Sequence, residues 1–216
     1  MRNVKKEVVL WVQFVTLLGI WAAMLYAEGT GLAINWKAIK ILPHVVTVYV
    51  ALAFVFSKWL WRLQIFRGWL VPFPDLQGTW VGELKSTWRN PETGQQIAPL
   101  RMTVVVRQTF SSVSCTLFTK ESESYSTAAQ ITRDEETGSL SLDYTYTNRS
   151  KATLRHRSPI HDGAARLKIV TLPKRALEGE YWTSRCTTGD ISLRFLSRNL
   201  LDAFFEDEQQ PESNSR

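Results

Sequence analysis

The segment from Leu177 to Phe195, LEGEYWTSRCTTGDISLRF, combines aromatic, hydroxyl and guanidinium side chains in two alternating runs. Tyr181, Thr183 and Arg185 follow one another at every second position, and Arg194 lies in the second run. Guanidinium and hydroxyl groups bind phosphate oxygens, and aromatic rings stack on bases. This inventory of side chains suits a nucleotide with phosphates better than it suits a fatty acid.

Alternation predicts which of these side chains face the interior of a fold. Side chains on a strand point to opposite faces in turn, and the glutamates of the first run belong in water. The inward row is then Leu177, Gly179, Tyr181, Thr183 and Arg185. A guanidinium that leaves water needs an anion, and a glycine leaves room for a bulky group. We therefore expect the inner face of this hairpin to bind a ligand, with Arg185 as the anion-binding residue.

Other runs add candidate groups. Tyr144 belongs to an alternating aromatic row, and Trp80 follows Gly78 and Thr79 at the start of the first run. Arg194 has the opposite parity from its apolar neighbours, so it faces inward only if the alternation reverses or the strand lies near the mouth. The candidate ligand-binding residues are thus Tyr181, Thr183, Arg185, Trp80, Tyr144 and Arg194.

Catalytic motifs are missing from the sequence. It has no Gly-x-Ser-x-Gly elbow, no phosphate-binding glycine-rich loop before a helix, and no His-Glu-x-x-His. His156, His161 and Asp162 lie in a basic stretch, residues 154–163, that we interpret as an inter-strand loop rather than a metal site. We predict a protein that is not an enzyme, with no catalytic residue, no metal and no resident cofactor.

Two apolar runs near the N-terminal end predict membrane-spanning helices. Residues 8–26 are nineteen positions without a formal charge, and residues 41–60 are apolar until Lys58. A helix needs about 20 such residues to cross the hydrocarbon core. A cleaved signal peptide is the alternative for the first run, but a second span follows directly. Basic residues before the first span, Arg2 and Lys5, and after the second predict that both termini are cytoplasmic.

The distribution of charge supports a membrane hairpin. The formal net charge is +6, and residues 1–74 hold eight basic residues against two acidic ones. Residues 206–216 reverse this balance, with four acidic residues against one basic residue. A basic excess beside apolar segments is typical of membrane proteins rather than of a DNA-binding face, so we predict lipid and no nucleic-acid polymer as a partner.

After the spans the periodicity changes to short alternating runs. Pro72 and Pro74 limit helix continuation, and turn signals then separate eight predicted strands. The predicted strands are 78–84, 100–110, 113–120, 124–132, 140–146, 165–172, 177–185 and 190–196. Sequential hairpins of this number favour an antiparallel up-and-down β-barrel with room for one small ligand, and a sandwich is the alternative.

The predicted organisation is therefore a two-helix transmembrane hairpin followed by an all-β domain. The hairpin occupies residues 1–70 and a linker occupies residues 71–76. The ligand-binding barrel occupies residues 77–200, and an acidic tail occupies residues 201–216.

Several of these features together resemble a known family. They are the two spans, the proline-rich connector, DLQGTW at 75–80, His161-x-Gly163, and L-x-G-x-Y-W-T-x-R-x-x-x-G at 177–189. This combination is similar to the two-transmembrane, β-strand-rich effectors of bacterial CBASS antiphage defence, the CD-NTase-associated protein 15 family. The resemblance covers residues 1 to about 200, and the final hairpin is its strongest part.

The resemblance implies a function. A cyclic dinucleotide made by a partner CD-NTase binds the barrel, the protein oligomerises in the cell inner membrane, and the membrane is breached so that the infected cell dies. It also implies a multi-pass protein whose termini and barrel are cytoplasmic, with lipids and copies of itself as partners. Carried onto this sequence, it assigns Arg185 to a phosphate, Thr183 to a phosphate or base edge, and Tyr181 to stacking, with Trp80 or Tyr144 as a second surface.

Two other functions stay open. Gly78-Thr79-Trp80 is similar to the Gly-x-Trp start of lipocalin-like barrels, so a membrane-tethered carrier of a lipid or other small ligand is one alternative. A carrier needs an apolar interior. A structural scaffold is the other alternative, and it would pair Arg185 with an internal acid such as Asp143 or Glu83.

Overall fold

The computed structural model describes residues 6–29, 36–90 and 92–206, and its contacts divide the chain into two compact units. The helical unit lies within Arg2–Pro74 and Thr109–Ser111, and the barrel unit lies within Asp75–Gln108 and Ser112 onward. Arg2 and Lys5, on which part of the predicted orientation depends, lie outside the described residues. So does the predicted acidic tail after Glu206.

The helical unit contains the two predicted spans. Helix α1 is Lys6–Ala27, and the short helix α2, Trp36–Lys40, runs into α3, Leu42–Lys58. The segments Glu7–Ala27 and Trp36–Lys58 have mean hydropathies of 2.1 and 2.0, and both are long enough to cross a membrane. Many of their large apolar side chains are exposed, as Phe14 is on α1. Because water disfavours such continuous apolar surface, the two helices are consistent with membrane association.

The helices also pack against each other. Leu25 of α1 is buried together with Ala38, Ile41 and Val45. The indole N–H of Trp21 donates a hydrogen bond to the carbonyl oxygen of Ala38 at 3.2 Å. The two apolar segments therefore form a hairpin rather than two independent helices.

The barrel unit is a closed sheet of eight antiparallel strands in sequential order, with the last strand paired to the first. The strands are β1 Gly78–Ser86, β2 Leu100–Gln108, β3 Val113–Phe118, β4 Ser122–Arg133, β5 Leu140–Ser150, β6 His161–Val170, β7 Ala176–Thr183 and β8 Thr188–Ser197. This architecture confirms the predicted up-and-down barrel, and the alternative of a sandwich is wrong. Closure satisfies the backbone groups of both outer strands, which an open sheet would leave exposed.

The largest differences from the predicted bounds occur on β5 and β6. Both strands extend further than predicted, because Asn148 pairs with His161 and Tyr146 pairs with Gly163. The end of the stretch that we interpreted as a loop, residues 161–163, therefore belongs to a strand. The residues paired in this part of the sheet are polar, so the hydrophobic alternation from which we predicted strands did not reveal these strand ends.

Antiparallel strands place alternate loops at opposite ends of the barrel. One end, which we call the polar mouth, is formed by loops 87–99, 119–121, 151–160 and 184–187. The other end, which we call the Trp80 end, contains the start of β1, loops 134–139 and 171–175, and the end of β8. This division decides which side chains can meet.

The interior of the barrel is filled mainly by apolar and aromatic side chains. Eight strands enclose a space about wide enough for side chains to fill. The buried set is Leu76, Trp80, Met102, Val104, Val106, Cys115, Leu117, Leu142, Tyr144, Tyr146, Ala165, Leu167, Ile169, Leu177, Tyr181, Ile191 and Leu193. A packed core of this kind stabilises the fold, and it directs the search for polar ligand contacts to the ends of the barrel.

Aromatic and guanidinium groups cover the Trp80 end. Trp80 is 1% exposed, and its indole N–H donates to the carbonyl oxygen of Leu76 at 2.9 Å. Its ring meets that of Phe195 edge to face at 5.2 Å between centroids. The guanidinium of Arg175 lies 5.3 Å from the Trp80 ring and 4.0 Å from the Phe195 ring. These contacts give Trp80 a role in stability.

Candidate functional site

Buried polar side chains gather near the polar mouth. Ser86 ends β1, Ser150 ends β5, and Ser124 and Asn148 lie close to the mouth ends of β4 and β5. The Ser124 hydroxyl donates to the Asn148 side-chain oxygen at 2.8 Å, and the Ser150 hydroxyl donates to that of Ser158 at 2.9 Å. Since buried polar groups need hydrogen-bond partners, these pairs give the mouth a stable polar wall above the apolar core.

Arg185 lies in the turn between β7 and β8, at the edge of this mouth. The Thr183 and Thr187 hydroxyl oxygens are 2.6 Å apart, and the Arg185 backbone N–H donates to the Thr183 hydroxyl at 3.3 Å. The Arg185 guanidinium is exposed and donates to the Ser158 hydroxyl at 3.4 Å. Within the described part of the chain it forms no ion pair with a carboxylate. The turn therefore presents a cation that an anionic ligand can reach.

Two tyrosine rings line the mouth below Arg185. Tyr181 on β7 is 6% exposed and Tyr146 on β5 is 8% exposed. Burial raises the pKa of Tyr146 to about 12, and it also raises the pKa of Tyr181, whereas the charge of Arg185 acts in the opposite direction on both pKa values. Both phenols are therefore neutral hydrogen-bond donors at physiological pH, close to one guanidinium.

Tyr144 lies one layer deeper than Tyr146. The two ring centroids are 5.9 Å apart. The Tyr144 hydroxyl is buried and has no hydrogen-bond partner among the described residues, and burial raises its pKa well above the ordinary value. An unsatisfied buried hydroxyl costs about 1–3 kcal/mol, so this group is a candidate partner for a polar ligand atom beneath Tyr146.

The parity predicted for β7 is confirmed, but its consequence for Arg185 is different. Leu177 and Tyr181 are buried in the interior, whereas Glu178 and Glu180 are exposed. β7 ends at Thr183, so Arg185 lies in the turn and not inside the barrel. The predicted space at Gly179 is also not available, because a Cβ there would overlap the backbone carbonyl of Arg166.

Two predicted ligand-binding residues lie away from the polar mouth. Trp80 is buried at the Trp80 end, as described above. Arg194 is exposed on the outer face of β8, where it pairs in register with Ala176 of β7 and Val81 of β1. Ile191 and Leu193 keep the inward parity of that strand, so the alternation does not reverse and Arg194 faces outward. The structure brings Tyr181, Thr183, Arg185 and Tyr144 together at one end and leaves these two at the other.

Several groups at the mouth are not among the predicted ligand-binding residues. Tyr146 belongs to the same alternating aromatic row as Tyr144 but was not named as a ligand-binding residue, and His161 was assigned to a loop. Trp88 is a third: it lies in the loop after β1, is exposed, and its backbone N–H donates to the Ser86 hydroxyl at 3.2 Å. The predicted strand order could have placed Trp88 at the mouth, because in sequential antiparallel strands the loop after β1 lies at the same end as the turn after β7.

Gly163 makes room for the Tyr146 ring. A Cβ at this position would lie 2.6 Å from the Tyr146 hydroxyl oxygen and 2.8 Å from the backbone carbonyl oxygen of Trp182. We expect Gly163→Ala to displace Tyr146 and to destabilise the barrel by about 1–3 kcal/mol, as overpacking does. Chemical denaturation of the wild type and the variant will measure the loss.

A double-mutant cycle supplies the control for this prediction. In a Tyr146→Ala background the ring is absent, so Gly163→Ala should cost less by at least about 0.5 kcal/mol. An equal cost in both backgrounds would show that the glycine serves only the backbone near Trp182.

We expect His161 to make the stability of the barrel depend on pH. Burial lowers the pKa of His161 below its ordinary value of 6.5, and the nearby Arg185 charge lowers this pKa further, whereas a hydrogen bond between Nδ1 and the Pro159 carbonyl, at 2.9 Å, opposes the shift. As the pH falls through about 6.5, the unfolded chain takes up a proton before the folded barrel does. The stability contributed by neutral His161 is therefore present above this pH and lost as the pH falls towards the folded pKa.

Melting temperatures between about pH 7.5 and 5.5 will test this pH dependence, because most carboxylates stay ionised in that range. We expect the melting temperature of the wild type to fall more steeply towards acid than that of His161→Gln. His156→Gln, in an exposed loop position, is the matched control. Identical slopes for the wild type and His161→Gln would contradict the prediction.

Comparison with known proteins adds a family context to this geometry. A family model described as "Cap15, cyclic dinucleotide receptor domain" matches residues 71–194, which include all the loops of the polar mouth. The CD-NTase-associated protein 15 of Staphylococcus schleiferi is 31% identical over 163 residues, covering 76% of this chain and 82% of that protein. The protein of the same name from Escherichia albertii is 25% identical over 173 residues, covering 79% and 83% of the two chains.

Proposed function

Since the chain belongs to the Cap15 family of CBASS-associated cyclic dinucleotide receptors, we propose that its polar mouth binds a cyclic dinucleotide and that this binding activates it as a membrane effector. In this proposal a partner CD-NTase makes the ligand after phage infection. The chain itself transmits the signal by binding and assembly, without catalysis.

The single observation that carries the proposal is the set of partners of the Arg185 guanidinium. Its guanidinium stands at the mouth with a hydroxyl partner at 3.4 Å and with no carboxylate partner in the described ranges. A cyclic dinucleotide brings two phosphodiester charges, and a hydrogen bond to a charged group is stronger than one to a neutral hydroxyl. A phosphate therefore displaces Ser158 from Arg185.

The scaffold alternative loses its support for the same reason. It required Arg185 to pair with an internal acid, and Asp143 was a candidate. Asp143 instead pairs with Arg166 at 3.0 Å and accepts a hydrogen bond from Thr132. Arg185 is thus left available for a ligand rather than engaged in holding the barrel.

Neighbouring groups take complementary roles in the proposal. Tyr146 and Tyr181 provide ring surfaces and phenol donors for the bases. The Tyr144 hydroxyl, which has no hydrogen-bond partner among the described residues, provides a deeper donor. Thr183 holds the turn that carries Arg185, through the hydroxyl contact with Thr187, in addition to any bond that it makes to the ligand. Each named group then acts on a phosphate, on a base, or on the position of Arg185.

The output of the proposed effector is assembly in the inner membrane. The two apolar helices anchor a multi-pass protein whose termini and barrel are cytoplasmic. A ligand shifts assembly only if it binds the assembled state more tightly than the dispersed state. Ligand-bound copies therefore oligomerise, their hairpins disrupt the lipid bilayer, and the infected cell dies.

Binding and membrane disruption can be tested on the full chain in lipid nanodiscs and in liposomes. The ligands are cyclic di-GMP, cyclic di-AMP, cyclic GMP–AMP, cyclic UMP–AMP and palmitate. A ligand at about 100 times its dissociation constant should stabilise the barrel by about 2.7 kcal/mol. The same cyclic dinucleotide should increase chemical cross-linking between copies and release dye from liposomes.

The panel also separates the proposal from its alternative. A melting shift with palmitate alone would favour the membrane-tethered carrier. No shift with any cyclic dinucleotide up to about 1 mM, a weak affinity of roughly −4 kcal/mol, would overturn the proposed function.

A further inference from the structure

Directly after the second apolar span, the chain forms a compact aromatic structure. Two short 3-10 helices, Leu60–Arg62 and Gln64–Phe66, follow α3. The Phe66 ring meets the Phe56 ring of α3 edge to face, with 5.1 Å between the two centroids. This contact folds the chain back against the last turns of α3. We call residues 58–71 the juxtamembrane segment.

The large side chains of this segment divide into a buried set and an exposed set. Trp61 is 1% exposed, and its ring centroid lies 5.8 Å from that of Phe73. The exposed set, with exposed fractions between 39% and 72%, is Trp59, Leu60, Leu63, Ile65 and Trp69. The buried ring gives the segment a core of its own, so the exposed side chains stand on a folded scaffold. Apolar surface concentrated in this way marks an interaction surface.

The position of this surface identifies its partner as the lipid bilayer. The segment Trp36–Lys58 is long and apolar enough to cross the hydrocarbon core, and a lysine at its end extends the ammonium towards the headgroups. Trp59 follows Lys58 directly, and the Trp69 ring lies 6.2 Å from that of Phe66. Tryptophan is enriched at this depth because its ring is apolar and its N–H is polar. Both exposed rings therefore suit the interface between lipid and water.

The formal charges of the juxtamembrane segment are all positive. They belong to Lys58, Arg62 and Arg67, and residues 29–74 contain no Asp or Glu. Lys58 and Arg67 are exposed. The Arg62 guanidinium donates to the Lys58 carbonyl oxygen at 2.9 Å, which holds it at the end of α3. Cations beside exposed apolar groups match an anionic phospholipid, because that molecule offers a phosphate and acyl chains together.

A buried donor lies beside these cations. The indole N–H of Trp61 has no hydrogen-bond partner among the described residues. The Arg62 guanidinium lies 5.1 Å from the centroid of the same ring. Because buried N–H groups almost always have an acceptor, this donor calls for an oxygen that the described protein atoms do not supply.

We propose that the juxtamembrane segment binds anionic phospholipids. The headgroup phosphate accepts hydrogen bonds from Lys58 and Arg67, and a headgroup oxygen accepts from the Trp61 indole. Trp59 and Trp69 lie among the headgroups. This binding goes beyond the proposed function, because no dinucleotide takes part in it, and it requires only that the two apolar helices enter a bilayer. It makes the protein selective for membranes that contain anionic lipid.

The expected selectivity follows from the number of charges. A basic residue near an anionic membrane surface increases the attraction about fivefold, so Lys58 and Arg67 together should favour an anionic over a zwitterionic lipid by up to about 25-fold. Salt screens this attraction, because both side chains are exposed.

The first test measures which lipids stay bound to the full chain. The protein is reconstituted in equimolar phosphatidylglycerol and phosphatidylcholine and extracted again with a nonionic detergent, and the lipids that copurify are quantified by mass spectrometry. We expect phosphatidylglycerol to be enriched at least about fivefold at about 50 mM salt, and this enrichment to shrink at about 500 mM salt. Excess glycerol 3-phosphate, which carries the charge of a headgroup without acyl chains, should leave the lipid ratio unchanged.

The second test changes the charges of the segment. Lys58→Gln with Arg67→Gln should bring the lipid ratio to within about twofold of the ratio supplied. Lys58→Arg with Arg67→Lys keeps both charges and should retain the enrichment. The matched control, Arg133→Gln with Arg149→Gln, removes two exposed charges from the barrel and should behave as the wild type.

The outcomes separate lipid binding from other roles of this surface. Equal amounts of the two lipids on the wild type, or an enrichment that the glutamine variant retains, would overturn the proposal. A glutamine variant that loses chemical cross-linking between copies, with an unchanged lipid ratio, would overturn it as well and assign the surface to a contact between copies. Since no dinucleotide is present, failure here leaves the proposed function intact. Failure of every dinucleotide to bind would leave the lipid result unchanged.

Discussion

Replacing Arg185 with alanine will weaken cyclic dinucleotide binding about 10- to 150-fold and leave the barrel folded, because a hydrogen bond to a charged group contributes about 1.5–3 kcal/mol. The side chain is exposed in a turn, and its guanidinium donates a hydrogen bond to Ser158 at 3.4 Å and forms no ion pair among the described residues, so its loss should change the melting temperature little. Calorimetric titration of the full chain in nanodiscs, together with its melting curve, measures both quantities.

Arg194→Ala is the matched control for this experiment. It removes the same side chain from the outer face of β8, away from the polar mouth, so the affinity should stay within about twofold of wild type. Loss of binding in Arg194→Ala with none in Arg185→Ala would move the ligand site to the outer face and contradict our assignment.

Trp80→Ala will destabilise the barrel by about 3–5 kcal/mol, the usual cost of removing a large buried aromatic side chain. The substitution leaves a cavity beneath Arg175 and Phe195 and removes the hydrogen bond to Leu76. Denaturant unfolding followed by near-ultraviolet circular dichroism measures the change.

Trp182→Ala provides the comparison, because Trp182 is 42% exposed on the outer face of β7. It should cost less than about 1 kcal/mol. Where the Trp80→Ala protein is still folded, its affinity for the dinucleotide should equal that of wild type. If Trp80→Ala lowered the affinity for the dinucleotide without changing the stability of the barrel, Trp80 would belong to the ligand site.

The fold was predictable because alternation and turn residues act locally. The eight strands and the face on which Leu177 and Tyr181 lie follow from side chains that alternate along each strand. The extra lengths of β5 and β6 were not predictable in this way, because the residues paired there, such as Asn148 and His161, have polar side chains. Backbone pairing, rather than burial of apolar area, forms those strand ends.

The candidate site was only half predictable, because parity assigns a side chain to a face and not to an end of the barrel. Trp80 and Tyr181 both point inward, yet strand direction and register separate them. Arg185 was singled out as an arginine in need of an anion, but β7 ends at Thr183, so Arg185 lies in the turn at the polar mouth rather than in the interior. Residues such as Trp88 require the complete strand order before their position is known.

The filled interior of the barrel has a consequence for how this protein can diversify. The apolar side chains of the core lie on the strands, whereas Arg157 and Arg185 stand on loops of the polar mouth, outside this core. Changes in those loops can therefore accumulate without loss of the scaffold, as in other folds that carry function on loops. Lineages under pressure to recognise new second messengers can exchange the loops of the polar mouth and inherit the same core.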